Sequence, residues 1–514
     1  MIVIYHQNNQ VSKIDLRGKS IAFSKKNIAN NLFEIAVLYP DELIVWCYLD
    51  LKSNLNFSGF QNIFHHHKIM ASYNPFENSF LSDAIGYVEE SPFIKINKKV
   101  TYPTWQMSSC VGGVHASVLL ALKAEIKASN NLDYFLHSLA KLAMQKGLLC
   151  YSEPQLLKNI PHKIQNQEKN TFTLFRFVKQ HYKTRWAFLL FLNLFLYERK
   201  LPFLPFIFSF FYFKRKLKEE VLDKIEVQSN RKTVQSGTID VIIPTIGRKQ
   251  YLYDVLKDLA QQTHLPEKVI IVEQNPLEES VSELDYLENE SWPFQIKHIF
   301  THQAGACNAR NLALAEVKSE LVFMADDDIR IENDFIEKGL LKMNNFGVNV
   351  ATFGCYAKDY SSNKKHKKNM QWTSFGSGCS IVKNKVLQNI FYNISFEFGY
   401  GEDSDFGIQL RNNGADVLFF PNPEIVHLSA PIGGFRTKPE LVWQNDSIQP
   451  KPSPTVMLYK QLHLTKEQIN GYKTILFFKF YKLQKIKNPV MYFFNFKKQW
   501  EQSLFWANEL IKKQ

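Results

Sequence analysis

The sequence predicts an α/β protein whose second half alternates short apolar strands with amphipathic helices. Residues 239–243, 269–272 and 321–325 are apolar runs of strand length, whereas residues 252–262 place apolar side chains on one helical face. Hydrophobic residues make up 45% of the 514 positions and charged residues 22%, which suffices to fill a core. Strands alternating with helices indicate a mostly parallel sheet covered on both faces, and ligands of such sheets gather at the carboxyl ends of the strands.

Residues 1–165 are predicted to form a second α/β domain. Residues 42–50 align with residues 320–328 at an offset of 278, and Asp50 alone matches the acidic triplet that ends the later segment. At an offset of 267, the dipeptide Phe-Leu at 135–136 falls on Glu-Asp at 402–403. This pattern predicts either a duplication whose first copy has lost its carboxylates or an unrelated α/β structure.

Residues 166–236 are predicted to connect the two domains. They hold two apolar runs, 186–197 and 201–213, with basic residues at their ends. Each run is shorter than the about 20 apolar residues that a membrane-spanning helix needs. Two interpretations remain: a hairpin that lies in the membrane interface with its basic ends on lipid phosphates, or a buried helical connector.

Residues 446–514 are predicted to form a basic, aromatic, helical tail. The last 64 positions hold 12 Lys and 3 Glu and contribute much of the net charge of +13. Lysine mixed with Phe and Trp is typical of segments that contact anionic membrane surfaces. The same mixture can stack on single-stranded nucleic acid, but no nucleic-acid-binding motif accompanies it. We therefore expect an anionic membrane surface, rather than nucleic acid, as a partner.

Three adjacent carboxylates within residues 237–445 suggest a metal site. Asp326, Asp327 and Asp328 directly follow the apolar run 321–325. Neighbouring carboxylates repel one another, and a divalent cation such as Mg²⁺ or Mn²⁺, which also binds the phosphates of nucleotides, relieves that repulsion. The alternative is a solvated acidic turn before the next helix.

A second acidic pair and a histidine lie further along the chain. Glu402 and Asp403 begin a helical run after Gly399 and Gly401. Acidic residues at a helix start can be simple caps, but glycines directly before them favour close approach of a ligand. His427 follows a predicted strand and, near a carboxylate-bound metal, becomes a candidate third ligand.

These motifs, in this order, resemble family 2 glycosyltransferases of the GT-A fold. The matching segments are the nucleotide-binding start at 239–248 and 259–272, GxxxARN at 305–311, DxD at 326–328, ED at 402–403, and the metal-ligand histidine segment at 427–436. The resemblance implies a GT-A catalytic domain over residues 237–445. It also makes residues 1–165 a candidate for a degenerate GT-A-like domain.

The resemblance implies an inverting, metal-dependent transfer of a sugar from a nucleotide-diphosphate donor to a saccharide or lipid-linked saccharide, in cell-surface polysaccharide or glycolipid synthesis. Asp403 is then the catalytic base, and Glu402 orients donor or acceptor. Mn²⁺ or Mg²⁺ is held by Asp326, Asp328 and His427. The residues expected to bind the nucleotide sugar are Pro244, Thr245, Arg248, Glu273, Arg310, Asp326 and Asp327. Glu273 stands where the family usually has an Asp that contacts the base, so UDP is only the default nucleotide.

A second hypothesis is that the protein has the same fold but is a catalytically silent scaffold at the membrane, which binds a saccharide or nucleotide. The intact carboxylates of the second half favour the enzyme. The six cysteines are widely spaced, which favours reduced thiols. The first seven residues lack the basic and apolar regions of a secretory signal. We therefore expect a cytoplasmic location, peripheral on the inner face of the membrane.

Overall fold

The structure is a computed structural model that describes residues 1–23, 27–159, 169–431 and 440–512, and these residues form two compact units. The first unit comprises Met1–Arg231 and Leu464–Lys482, and the second comprises Lys232–His463 and Leu483–Gln514. The predicted boundary at residues 165 and 166 lies outside the described residues. The segment after it, predicted as a connector, belongs to the first unit up to Arg231.

A mixed sheet of eight strands forms the centre of the described part of the first unit. The strands are β1 (Ile2–Gln7), β2 (Gln10–Leu16), β3 (Lys19–Ile21), β4 (Leu43–Tyr48), β5 (Ile69–Tyr73), β6 (Tyr102–Pro103), β7 (Val111–His115) and β8 (Leu149–Ser152). Their order across the sheet is β3-β2-β1-β4-β7-β5-β8-β6. Trp46 on β4 is fully buried and packs in one hydrophobic core with Trp105 and Phe135.

Helices cover this sheet. They are α1 (Ile28–Leu38), α2 (Phe60–Ile63), α3 (Ala116–Leu122), α4 (Leu132–Ala143), α5 (Thr171–His181), α6 (Arg185–Glu198) and α7 (Phe203–Ser209). Asn131 caps α4 by accepting a hydrogen bond of 2.8 Å from the Tyr134 N–H, which satisfies one of the free amide groups of the first turn. The first unit is therefore a complete α/β structure, as predicted for residues 1–165.

The two predicted apolar runs form α6 and α7. Ala187, Leu190 and Leu194 lie at helical spacing on the buried face of α6. Phe188 and Phe195, on the same helix, remain exposed. Among the residues that the structure describes, none of the helices combines the length and the apolar composition that crossing a bilayer requires.

The second unit is built around a mixed sheet of nine strands, counted over its described residues. They are β9 (Ile239–Thr245), β10 (Lys268–Gln274), β11 (Gln295–Thr301), β12 (Leu321–Ala325), β13 (Ile329–Arg330), β14 (Val350–Ala357), β15 (Met370–Gln371), β16 (Cys379–Lys383) and β17 (Leu418–His427). The order is β11-β10-β9-β12-β16-β14-β17-β13, and β15 pairs with β17. The α/β class predicted from the alternation of strands and helices is confirmed.

The remaining helices are α8 (Lys249–Ala260), α9 (Tyr286–Asn289), α10 (Ala306–Ala315), α11 (Phe335–Phe346), α12 (Glu402–Asn412), α13 (Pro454–His463), α14 (Lys466–Tyr481) and α15 (Pro489–Lys512). The region predicted as one tail thus forms three helices, and α14 belongs to the first unit. The Gln468 side-chain amide donates to the carbonyl oxygens of Glu89 at 2.9 Å and Ser91 at 3.0 Å. Gly471 lies so close to the backbone of Tyr87 that any Cβ would overlap it.

Six strands have the same order and directions in both sheets. In the first, the order β1-β4-β7-β5-β8-β6 is joined by parallel, antiparallel, antiparallel, parallel and antiparallel pairs. The order β9-β12-β16-β14-β17-β15 in the second has the same five pair types. At one edge, the antiparallel β2 and β3 of the first sheet stand in place of the parallel β10 and β11 of the second. At the other end, the second sheet adds β13, which pairs with β17. The shared order supports the duplication hypothesis over unrelated structure.

The strand pairing corrects the sequence alignment at the acidic pair. With β4 on β12 at an offset of 278, the pairs Cys47↔Val111 and Ala325↔Cys379 place β7 on β16 at an offset of 268. The helices that follow start at Leu132 and at Glu402, so Asp133 corresponds to Asp403. The alignment of 135–136 with 402–403 was wrong, because the connecting loops differ in length and no constant offset can follow them.

Candidate active site

A cavity of about 600 Å³ lies at the carboxyl ends of β9 and β12 in the second unit. This is the edge where parallel α/β sheets bind ligands. Every predicted site residue except Glu273 lines the cavity: Pro244, Thr245, Arg248, Arg310, Asp326, Asp327, Asp328, Glu402, Asp403 and His427. Residues separated by almost 200 positions are therefore brought to one place by the strand order.

Local structure explains how each motif reaches the cavity. β12 is fully buried and ends at Ala325, so the acidic triplet leaves the sheet at its edge. β17 ends at His427, and the Ile329↔His427 pair with β13 holds this residue beside the triplet. Gly401, with φ of 122°, adopts a conformation that L side chains rarely adopt and turns the chain into α12, which starts at Glu402.

Asp326, Asp328 and His427 form a group that could hold a metal ion. One ligand atom from each lies within 4.8 Å of the others. The His427 Nε2 lies 3.3 Å from an Asp328 oxygen, and this hydrogen bond raises the pKa of His427. A Cβ at Gly378 would overlap the Asp326 carboxylate, so a side chain at this position would displace the carboxylate. Two carboxylates and one imidazole suit Mn²⁺ or Mg²⁺. Residues 432–436 of the predicted histidine segment lie outside the described residues.

Two arginines bring positive charge to the triplet. The Arg248 Nη1 lies 2.6 Å from the Asp327 carboxylate and 3.4 Å from that of Asp328. The Arg310 Nη2 lies 3.0 Å from an Asp326 oxygen. Burial raises the pKa of Asp327 to about 6 despite its bond to Arg248. The guanidinium groups thus offset the repulsion of three adjacent carboxylates at the wall where an anionic ligand would lie.

The acidic pair at the start of α12 has the environment of a general base. The Ser377 hydroxyl donates to the Asp403 carboxylate and accepts in turn from the Tyr392 hydroxyl at 2.6 Å. Burial raises the pKa of Asp403, and burial together with the neighbouring Asp403 charge raises the pKa of Glu402 to about 7. A carboxylate with a raised pKa is a stronger base, which suits removal of a proton from a hydroxyl.

Glu273, which was predicted to bind the nucleotide sugar, does not line the cavity. Its carboxylate is bound by the His298 Nε2 at 2.9 Å and by the Glu283 N–H at 3.1 Å. The adjacent Gln274 lines the cavity and accepts a hydrogen bond of 2.6 Å from the Gly305 N–H. Successive side chains of a strand point to opposite faces, so Glu273 and Gln274 lie on opposite sides of β10.

Glu397 is a cavity residue that sequence reasoning missed. Its carboxylate accepts hydrogen bonds of 3.0 Å from the Cys307 and Asn308 N–H groups at the start of α10. It therefore satisfies free amides of that helix and offsets its positive end. An acidic residue shortly before the predicted pair was the available signal, but its partners lie about 90 positions earlier in the chain.

Comparison with known proteins agrees with the motifs. Residues 240–405 match the model of the family described as Glycosyl transferase family 2. No curated protein sequence matches the chain. Among solved structures, the chain is similar to TarS of S. aureus, with 17% identity over 38% of this chain and 37% of that one and a TM-score of 0.32. It is also similar to TarS 1–349 in complex with UDP-GlcNAc, with 15% identity over 52% and 79% of the two chains and a TM-score of 0.37.

The match to the first of these structures spans 37% of its length, which is less than two thirds. The family match instead covers the stretch from β9 to the start of α12, which contributes most of the second sheet, although not β17, and most of the cavity lining. Residues 240–405 are therefore a family 2 glycosyltransferase domain of the GT-A fold.

Proposed function

We propose that the chain is an inverting, metal-dependent glycosyltransferase acting on a nucleotide-diphosphate sugar, with UDP as the default nucleotide. The supporting observation is that the Asp326, Asp328 and His427 group and the carboxylate of Asp403 line one cavity. The acceptor is a hydroxyl of a saccharide or lipid-linked saccharide, and the product belongs to a cell-surface polysaccharide or glycolipid. This account goes beyond the family match, which supports a glycosyltransferase without these details.

The donor lies along the triplet in this proposal. Asp326, Asp328 and His427 hold Mn²⁺ or Mg²⁺, which when bound supplies Lewis-acid stabilisation of the charge on the departing diphosphate. Arg248 and Arg310 line the same wall and add forked donors for phosphate oxygens. The residues that line the nucleotide end are Pro244, Thr245 and Gln274, with Gln274 in place of Glu273.

Asp403 removes the proton of the acceptor hydroxyl. As the acceptor oxygen bonds to the anomeric carbon, the bond from that carbon to the diphosphate breaks and its electron pair leaves with the nucleotide. One base suffices for this single displacement, which inverts the anomeric centre. Ser377 holds the carboxylate in place, and Glu402 orients donor or acceptor.

The proposal is tested by incubating the full chain with UDP-, GDP- and TDP-sugars in Mn²⁺ and measuring free nucleoside diphosphate. We expect release from at least one donor, and complete loss of that release on addition of EDTA. Release that is unaffected by EDTA would contradict the metal dependence. Binding of a donor without any release, with or without simple saccharide acceptors, would instead favour a silent scaffold.

We also propose that α6, α7 and the residues after them contact an anionic membrane surface. Leu201, Phe211 and Phe213 are 67%, 75% and 89% exposed, a large apolar area for a water-facing surface. Lys214 and Lys216 beside them are exposed as well. Apolar side chains next to lysines match the acyl and phosphate layers of an anionic leaflet, which favours a peripheral location on the inner face of the membrane.

Replacing Phe211 and Phe213 together by Glu is expected to weaken binding to phosphatidylglycerol-containing vesicles by at least about tenfold, because two apolar anchors are lost and two negative charges gained. Vesicle co-sedimentation of the full chain measures this. Phe391→Glu is the matched control, since Phe391 is 60% exposed in the second unit. Equal vesicle binding by the double variant and the wild type would contradict the proposed membrane contact.

A further inference from the structure

A cavity of about 310 Å³ occupies the first unit at the same edge of its sheet as the active-site cavity of the second. It lies where β5 ends and β7 begins, next to the start of α4. Its polar lining includes Asn74, Lys98, Gln106, Ser108, Asp133 and His137. Phe76 and Phe80 add apolar surface. The volume is within the range of small-molecule sites, which combine apolar walls with a few convergent polar groups.

Asp133, one of the carboxylates that line this cavity, corresponds to Asp403, the proposed base of the active site. Asp133 is the second residue of α4, as Asp403 is of α12. Asp133 accepts hydrogen bonds from the Ser109 N–H at 2.8 Å and the Ser109 hydroxyl at 2.9 Å. Ser109 aligns with Ser377, the partner of Asp403, at the offset of 268 that the strand pairing gives. The first unit has therefore kept a carboxylate and its serine partner.

Two polar side chains of the cavity have hydrogen-bonding capacity to spare. The His137 Nδ1 lies 2.8 Å from the Asp133 carbonyl oxygen and so carries the proton, which leaves Nε2 as an acceptor. This Nε2 has no hydrogen-bond partner among the described residues, although His137 is only 2% exposed. Burial lowers the pKa of His137 to about 4, so the ring is neutral at pH 7. The Gln106 amide is likewise without a partner in the part of the chain that the structure describes.

Charge and ligand chemistry exclude a nucleotide diphosphate here. The carboxylates of Glu77, Asp83, Asp133 and Glu467 line the cavity against the single ammonium group of Lys98. The described residues of the first unit contain no cluster able to hold a metal ion. Lys169 pairs with Asp83 at 2.7 Å, but the remaining carboxylates still outnumber Lys98, so a diphosphate would meet net negative charge and a neutral ligand would not.

We propose that this cavity binds a neutral saccharide through its hydroxyl groups, as a second carbohydrate site without metal or nucleotide. Sugar hydroxyls both donate and accept, which matches Asp133 and the His137 Nε2 as acceptors and the Gln106 amide as donor. Phe76 and Phe80 face the apolar side of a sugar ring. The site goes beyond the transfer reaction and does not depend on it.

Saturation-transfer NMR of the full chain with methyl β-D-glucopyranoside, methyl β-D-galactopyranoside and methyl N-acetyl-β-D-glucosaminide tests the proposal without a donor present. We expect a transfer signal for at least one glycoside. Asp133→Asn and, separately, Gln106→Leu should each reduce affinity by at least about fivefold, since each removes a hydrogen bond to the sugar. Thermal unfolding identifies any variant that fails to fold. If one of the two variants does not fold, the affinity of the other tests the proposal.

Two matched controls assign the signal. Asp50→Asn changes the exposed carboxylate that survives from the acidic triplet and should leave the signal unchanged. Asp403→Asn changes the equivalent position of the second unit and reports any glycoside bound at the proposed acceptor site. The proposal is overturned if no glycoside gives a signal, if the signal survives both cavity variants, or if Asp403→Asn removes it and the cavity variants do not. Nucleotide release, measured without saccharide, reports on the proposed transferase separately.

Discussion

Asp403→Asn is expected to reduce sugar transfer by about 10²–10⁴-fold while nucleotide-sugar binding stays nearly unchanged. The substitution keeps the size of the side chain and the oxygen that accepts from Ser377, but it removes the basic carboxylate. Turnover and donor affinity of the full chain, measured separately, distinguish loss of the base from loss of the site.

The pH profile of the wild-type enzyme gives a second prediction about Asp403. Burial raises the pKa of Asp403, so its carboxylate should become protonated, and activity should be lost on acidification, at a higher pH than with an ordinary aspartate as base.

Asp405→Asn is the matched control, because Asp405 lies on the same turn of α12 without lining the cavity. Its carboxylate is bound instead by the His463 Nε2 at 2.6 Å and the Gln409 side-chain amide at 2.7 Å. This variant should keep most of its turnover at temperatures where it remains folded. Equal losses in both variants would mean that α12, rather than a base, had been disturbed.

Asp326→Asn is expected to weaken Mn²⁺ binding by about 10–100-fold and to lower transfer at least as much, since a neutral amide replaces a charged oxygen ligand. Mn²⁺ affinity is measured directly by electron paramagnetic resonance on the protein without donor, so the result does not depend on activity. Transfer at saturating Mn²⁺ then shows how much of the defect the metal restores.

Asp327→Asn is the comparison for this experiment. Asp327 belongs to the same acidic triplet but bonds to Arg248 and is not part of the three-residue group with His427. It should retain most of the Mn²⁺ affinity. Equal weakening by both substitutions would show that negative charge near the cavity, and not a defined set of ligands, attracts the ion.

It was predictable that residues following different strands would lie close together, because the carboxyl ends of parallel strands meet at one edge of a sheet. The apolar run before Asp326 placed the acidic triplet at that edge, whereas the glycines before Glu402 indicated only close approach of a ligand, and the family resemblance supplied the role of Glu402 and Asp403 in the site. Contacts between side chains far apart in sequence were not predictable. Ser377 approaches Asp403 across a loop and a helix start, and no periodicity in the sequence reports that contact.

Alignment failed where loops change length. The first half was expected to have lost its acidic pair, yet Asp133 occupies the position of Asp403. Strand pairing reveals this because hydrogen-bond register fixes which residues correspond, whereas a constant offset drifts by a residue or more at every unequal loop. Within one strand, a shift of a single residue changes the face on which a side chain lies, as Glu273 and Gln274 of β10 illustrate.

Helix α14 has a practical consequence for anyone who wishes to study the halves separately. Its residues lie in the chain between two segments of the second unit, yet its Gln468 amide donates hydrogen bonds to carbonyl groups near residue 90. A fragment that stops at Arg231 would expose those carbonyl oxygens to solvent. It would also lack the helix that packs against Tyr87 at Gly471. Protein engineers who express the first half alone must therefore graft residues 464–482 onto its end, and the two modules cannot be exchanged between proteins by a single crossover.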